Sequence, residues 1–126
     1  MRVFKYPRFH RFTKKEGITD SELLEIVKQL ETGHTNAGLG GGVYKERLVR
    51  SGEGKSGGYR IILYFKNEFR TFFVYGFSKS ERDNISDLEL RAFKSDAKDQ
   101  FILSDEQIEV RLKSRTLFEI ENGGKK

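Results

Sequence analysis

The 126-residue chain contains no cysteine and only two histidines. Without cysteine there can be neither a disulfide framework nor a thiolate metal site, and His10 and His34, alone and 24 residues apart, do not make a zinc site. No metal and no other cofactor is therefore expected. Long apolar runs are also missing: nothing approaches the roughly 18 residues that span a bilayer. The opening Met1-Arg2-Val3-Phe4-Lys5-Tyr6 has no extended apolar region of the kind a signal peptide carries. The expectation is a cytoplasmic protein with no membrane partner.

What is present points to a small, ordered, basic domain. The length suits one hydrophobic core, so residues 1–126 are read as a single domain, with a helix and strand extension from about residue 104 and a frayed tail over 122–126. Eleven Phe are too many for a disordered segment, and the core should be rich in them. The formal net charge of +5 favours an anionic partner, with nucleic acid the first candidate for so small a domain.

Hydrophobic spacing places a helix over about Asp20 to Thr32, where Leu23, Ile26, Val27 and Leu30 share a face. Thr19 and Glu22 form a capping box at its start, and Gly33 can end it in a left-handed conformation. After the glycine-rich Gly38 to Gly42 come three segments of strand character, Val43 to Arg50, Tyr59 to Lys66 and Arg70 to Phe77. The last two flank the short Asn67-Glu68-Phe69, so a three-stranded antiparallel meander is expected. In the middle segment Tyr59, Ile61, Leu63 and Phe65 read as the core face, opposite Arg60, Ile62, Tyr64 and Lys66. The first segment separates Lys45 and Arg47 from Glu46 and Leu48, which suits an edge strand or one beneath a functional surface. Ser86 with Glu89 and Ser104 with Gln107 open two further helices, the first striped by Leu90, Phe93, Ala97 and Phe101, the second carrying Ile108 and Leu112. Leu117 to Ile120 can add a final strand.

The Gly54-Lys55-Ser56 tripeptide resembles part of a phosphate-binding loop, but the position that such a motif requires to be a second glycine is Val49, and Tyr59 to Leu63 that follow are strand-like rather than helical. Nucleotide binding is set aside. A linked set of segments is more specific: Val43-Tyr44-Lys45-Glu46-Arg47, then Gly54-Lys55-Ser56-Gly57-Gly58-Tyr59-Arg60, then Phe72-Phe73-Val74-Tyr75-Gly76-Phe77, then Lys79-Ser80-Glu81-Arg82-Asp83-Asn84-Ile85. Over roughly residues 1–100 this order resembles the RelE/HigB toxins of the RelE/ParE superfamily, and within it the phage-related RelE-like branch.

The resemblance implies an α+β fold, a small twisted antiparallel sheet with helices packed on one face and a basic concave surface on the other. It implies a type II toxin that cuts mRNA in the ribosomal A site, and a cognate antitoxin, often of helix-turn-helix type. The chemistry is attack of a ribose 2′-hydroxyl on the adjacent phosphate, which needs a proton acceptor, cations around the phosphorane and a donor to the leaving 5′ oxygen. By resemblance, Arg60 contacts the scissile phosphate, Lys45, Arg47 and Lys79 join it as catalytic candidates, and Lys55 and Arg82 grip RNA. Tyr59 and Tyr64 are candidates for stacking on bases, as is Tyr75. Where some relatives carry an Arg after the lysine at 79 and a catalytic Tyr further on, this chain has Ser80 and Ser86, so acid and base stay unassigned, and Ser86 reads as a helix cap. His10 and His34 match no catalytic position and are expected in surface or loop roles. Two other functions remain open: a ParE-like inhibitor of a protein such as gyrase, and an inactive phage-derived binding domain. The cation set favours the nuclease, since a protein-binding toxin has no need to focus cations on one face.

Overall fold

The structure, a computed structural model, describes residues 1–33, 38–49 and 58–121. His34, Arg50, Lys55 with its glycine-rich segment, and residues 122–126 lie outside the described residues. The chain opens with strand β1 (Arg2–Lys5) and helix α1 (Pro7–Glu16), neither expected from the sequence. Pro7 sits in the first turn of α1, where its fixed φ suits the helix, and Gly17 ends it at a φ of 73°, a left-handed conformation that glycine adopts without strain. Helix α2 (Asp20–Glu31) follows, with the Thr19–Glu22 capping box formed as expected. Then come β2 (Gly38–Gly40), β3 (Val43–Leu48), β4 (Tyr59–Lys66), β5 (Arg70–Ser78), α3 (Asp87–Phe101), α4 (Asp105–Ser114) and β6 (Phe118–Ile120). The Ser86–Glu89 and Ser104–Gln107 boxes cap α3 and α4.

The sheet has the order β2-β3-β4-β5-β1-β6. The expected meander β3-β4-β5 is its centre, but β1 lies beside β5 and parallel to it, with Phe4 opposite Phe72, so the sheet is mostly rather than wholly antiparallel. Strand β6 pairs with β1, which builds the C-terminal segment into the same sheet.

The α+β class stands, while the expectation of helices on one face is corrected. Helices α1 and α2 bring Phe9, Leu23, Ile26, Val27 and Leu30 onto one face, against Ile61, Leu63 and Phe73. On the other, Phe93 and Ala97 of α3 and Ile108 of α4 close over Phe4, Val43, Ile62, Tyr64 and Phe72. The reason lies in β4. Arg60 and Lys66 made its second face look like surface, but they stand near the strand's ends, and Ile62 and Tyr64 between them are fully buried. A strand apolar on both faces needs a layer on each.

Polar clamps tie α3 to the sheet. Asp96 accepts hydrogen bonds from the hydroxyls of Tyr6 (2.5 Å) and Tyr64 (2.8 Å) and from the Gln100 amide (3.2 Å). Burial, reinforced by the bond to Asp96, raises both phenols far above their ordinary pKa and keeps them as neutral donors. Arg70, only 3% exposed, donates to the carbonyls of Leu103 and Gln100 at the end of α3 and pairs with Asp105 at the start of α4. The guanidinium thus ties carbonyls at and just past the C-terminus of α3 to β5. Among the described residues no helix is long and apolar enough to cross a membrane.

Candidate functional site

The site forms on the α3 side of the sheet, toward the ends of β3, β4 and β5. Antiparallel register sets Lys45, Ile62 and Tyr75 in one row across the three strands and Arg47, Arg60 and Phe77 in the next. Directly opposed side chains in such a ladder have Cβ atoms about 5 Å apart, so Arg47 and Arg60 hold two like charges side by side. Arg47 is exposed and Arg60 half-buried. Among the described residues neither has a carboxylate or hydrogen-bond partner. Lys45, half-buried, donates from Nζ to Asn84 Oδ1 at 3.1 Å. Lys79 is exposed just past β5, with its backbone N–H on the Gly58 carbonyl at 3.1 Å, beside the same end of the sheet.

Tyr75 reaches this face through an irregularity in β5. The register passes from Ile62 opposite Tyr75 to Leu63 opposite Phe73, which leaves Val74 as an extra residue. Such a bulge resets the alternation, and Val74 and Tyr75 both pack toward the α3 side. The ring of Tyr75 is enclosed. The Arg8 guanidinium lies 4.8 Å from its centroid, Phe77 5.7 Å, Phe93 6.1 Å and the Arg82 guanidinium 5.9 Å. Arg8 is held in place by its own bond from Nε to the Val74 carbonyl at 3.1 Å.

Arg82 is engaged within the fold. It donates to both carboxylate oxygens of Glu89 (2.7 and 3.1 Å), to the Tyr75 hydroxyl oxygen (3.1 Å) and to the Asn84 carbonyl (3.0 Å). The Arg82 contact, helped by the Ser86 backbone N–H, pulls the Glu89 carboxyl down to about 2, and the bond to Glu89 raises Arg82 further above its ordinary value. Its expected place in an RNA grip is therefore revised: it braces the β5–α3 connection and positions the Tyr75 hydroxyl.

Two other expected residues do not reach the site surface. Tyr59 is 2% exposed on the opposite face, donating to Glu16 at 2.8 Å, and Tyr64 is wholly buried on Asp96. Neither ring can stack on a base, because the polar tip that suggested a surface role is satisfied inside the protein. His10 packs between α1 and β6, its ring 4.1 Å from that of Phe118, and burial lowers its pKa. Arg8 was not anticipated. Its signal was Pro7 and Gly17 bracketing a helix-length segment, which places Arg8 in the first turn.

This geometry can bind and polarise a phosphodiester. Paired guanidiniums grip non-bridging oxygens through planar forks, and fixed charges at the phosphorus stabilise the extra negative charge of a pentacoordinate intermediate. Residues 1–120 match the family described as the RelE toxin of the RelE/RelB toxin-antitoxin system. The chain belongs to the RelE toxin family. No curated protein matches it. A toxin of a toxin–antitoxin pair implies an antitoxin partner, and in this RelE toxin the cations Arg8, Lys45, Arg47, Arg60 and Lys79 come from four separate parts of the chain: α1, β3, β4 and the end of β5.

Proposed function

We propose that this RelE toxin is an endoribonuclease that cuts mRNA on the ribosome and so stops translation, and that a cognate antitoxin holds it silent. The observation that carries the reading is the Arg47–Arg60 pair. Opposed like charges on neighbouring strands destabilise a sheet, and no carboxylate among the described residues offsets them. An arrangement that costs stability in the free protein is explained by an anion that joins the two charges in the complex. In the reaction the 2′-hydroxyl attacks the adjacent phosphate to leave a 2′,3′-cyclic phosphate and a 5′-hydroxyl. Arg60 and Arg47 hold the phosphate, Lys45 flanks it, and Lys79, with Lys55, grips the strand. Induced expression in a bacterial host should arrest growth, co-expression of the antitoxin should restore it, and mapped mRNA ends should show cuts inside translated regions. Soluble expression that arrests growth with intact mRNA and a blocked gyrase would instead establish a ParE-like inhibitor.

A further inference from the structure

The nuclease reading leaves one role unfilled, the donor of a proton to the departing 5′ oxygen. An arginine keeps its charge and is a poor source of protons. Lys45 already directs its ammonium to Asn84, and Lys79 stands on an exposed turn. Tyr75 differs from both. Its ring is fixed among Arg8, Phe77 and Phe93. Its oxygen accepts from Arg82, whose guanidinium is itself anchored on Glu89. A hydroxyl whose oxygen accepts from a guanidinium must aim its own proton elsewhere, and that proton has no acceptor among the described residues. The bulge at Val74 sets Tyr75 opposite Ile62, hence diagonal to Arg60, a separation that long and aromatic side chains bridge. Bulges of this kind recur beside active sites, where they re-aim a side chain.

Resting on the nuclease reading, we propose that the Tyr75 hydroxyl, held by Arg82 and caged by Arg8, Phe77 and Phe93, is the general acid that protonates the 5′ oxygen. The 2′ oxygen bonds to phosphorus as its proton passes to water, the bond from phosphorus to O5′ breaks, and Tyr75 gives its proton to O5′. The tyrosinate, stabilised by Arg82 while it lasts, is reprotonated from water, so no proton or electron is left over. The enclosed ring is a positioning device, and the hydroxyl is the working part.

The test compares wild type with Tyr75→Phe, which keeps the ring, in single-turnover cleavage on programmed ribosomes. Two mRNAs are used, one ordinary and one with sulfur replacing the bridging 5′ oxygen at the cut site. A thiolate leaves without a proton. On ordinary mRNA, Tyr75→Phe should be slower by on the order of 100-fold, with unchanged ribosome binding and at most a small fall in melting temperature from the lost Arg82 bond. On the sulfur-bridged mRNA its rate should match wild type. Equal rates on ordinary mRNA, or an equal defect on both substrates, would overturn the assignment of Tyr75 and leave the nuclease intact. A wild-type protein that cuts neither substrate would overturn the nuclease reading and this inference with it.

Discussion

At the scale of single residues, the site trades stability for charge. Arg60 is half-buried near the end of β4 and faces Arg47 across the ladder, so Arg60→Ala removes one of two opposed positive charges and leaves in place the buried side chains of both faces, Ile61 and Leu63 on one and Ile62 and Tyr64 on the other. The variant should melt at or slightly above the wild-type temperature. Its cleavage rate should fall by on the order of 100-fold, as when one preorganised charge contact to a transition state is lost. Normal melting with near wild-type cutting would move the site elsewhere. Lys45 and Arg47 were legible in the sequence because strand alternation puts them on one face and Arg60 through the family resemblance, while the facing of Arg60 and Arg47 needed the register of β3 on β4. Tyr59 lies on the core face where alternation put it; the stacking role expected of it and of Tyr64 fails, since a tyrosine at a surface and a tyrosine bonded to a carboxylate within the fold look alike until Glu16 and Asp96 are placed. The place of Tyr75 depends on the Val74 bulge, without which strict alternation would set it on the Phe73 face.

At the scale of elements, what the sequence disclosed was local. The capping boxes of α2, α3 and α4 are each complete within four residues, and each formed as read. Strand β1 is four residues long, and its place beside β5 rests on contacts with residues nearly seventy positions later, which no local pattern encodes. Helix α1 does carry a signal at helical spacing, Phe9, Phe12 and Thr13 on one side of a strongly basic segment, bracketed by Pro7 and Gly17. The same local logic supplies a test of the α3 start. Gln107 completes the α4 box with an amide, so Glu89→Gln should keep the α3 box and delete only the charge that Arg82 pairs with. Glu89 has a folded pKa of about 2, below the roughly 4.3 of an unperturbed glutamate. A depressed folded pKa contributes stability that is complete above the unfolded value and lost as pH falls toward the folded one. The melting gap between wild type and Glu89→Gln should therefore be constant near neutrality and close as pH drops from about 4.3 toward 2. Solvent exposure of both partners keeps the gap small, and a gap indifferent to pH would detach Glu89 from Arg82.

At the scale of the whole molecule, the placing of the net charge of +5 matters more than its size. Acidic groups are drawn into bonds within the fold: Asp96 of α3 on Tyr6 and Tyr64, Glu89 on Arg82, Glu119 and Glu109 on Arg2, Asp20 on Lys5 and Glu16 on Tyr59. A cleft of about 220 Å³ on the other face is lined by Glu16 and Glu22 with Leu48, Val49 and Tyr59, which makes it unsuited to a polyanion. Among the described residues, Arg8, Lys45, Arg47, Arg60 and Lys79 have no ion pair with a carboxylate. Composition hinted at an anionic partner; only the fold, by bringing α1 beside β5, adds Arg8 to the strand cations. Binding to a single-stranded RNA should then be governed by counterion release. With about four phosphates engaged, one at the Arg47–Arg60 pair and the others at Lys45, Lys55 and Lys79, the slope of log affinity against log salt should be near −2.8, or about a 50-fold loss between roughly 50 and 200 mM salt. Replacing Arg47 and Arg60 together by Ala should flatten the slope by about 0.7, the share of the one phosphate they hold. Tyr75→Phe, which removes no charge, should leave it unchanged. Fluorescence anisotropy with a short labelled RNA in a salt series measures all three. A wild-type affinity that ignores salt would deny a phosphate-dominated interface, and an unaltered slope in the double variant would place the phosphate contacts away from the Arg47–Arg60 pair.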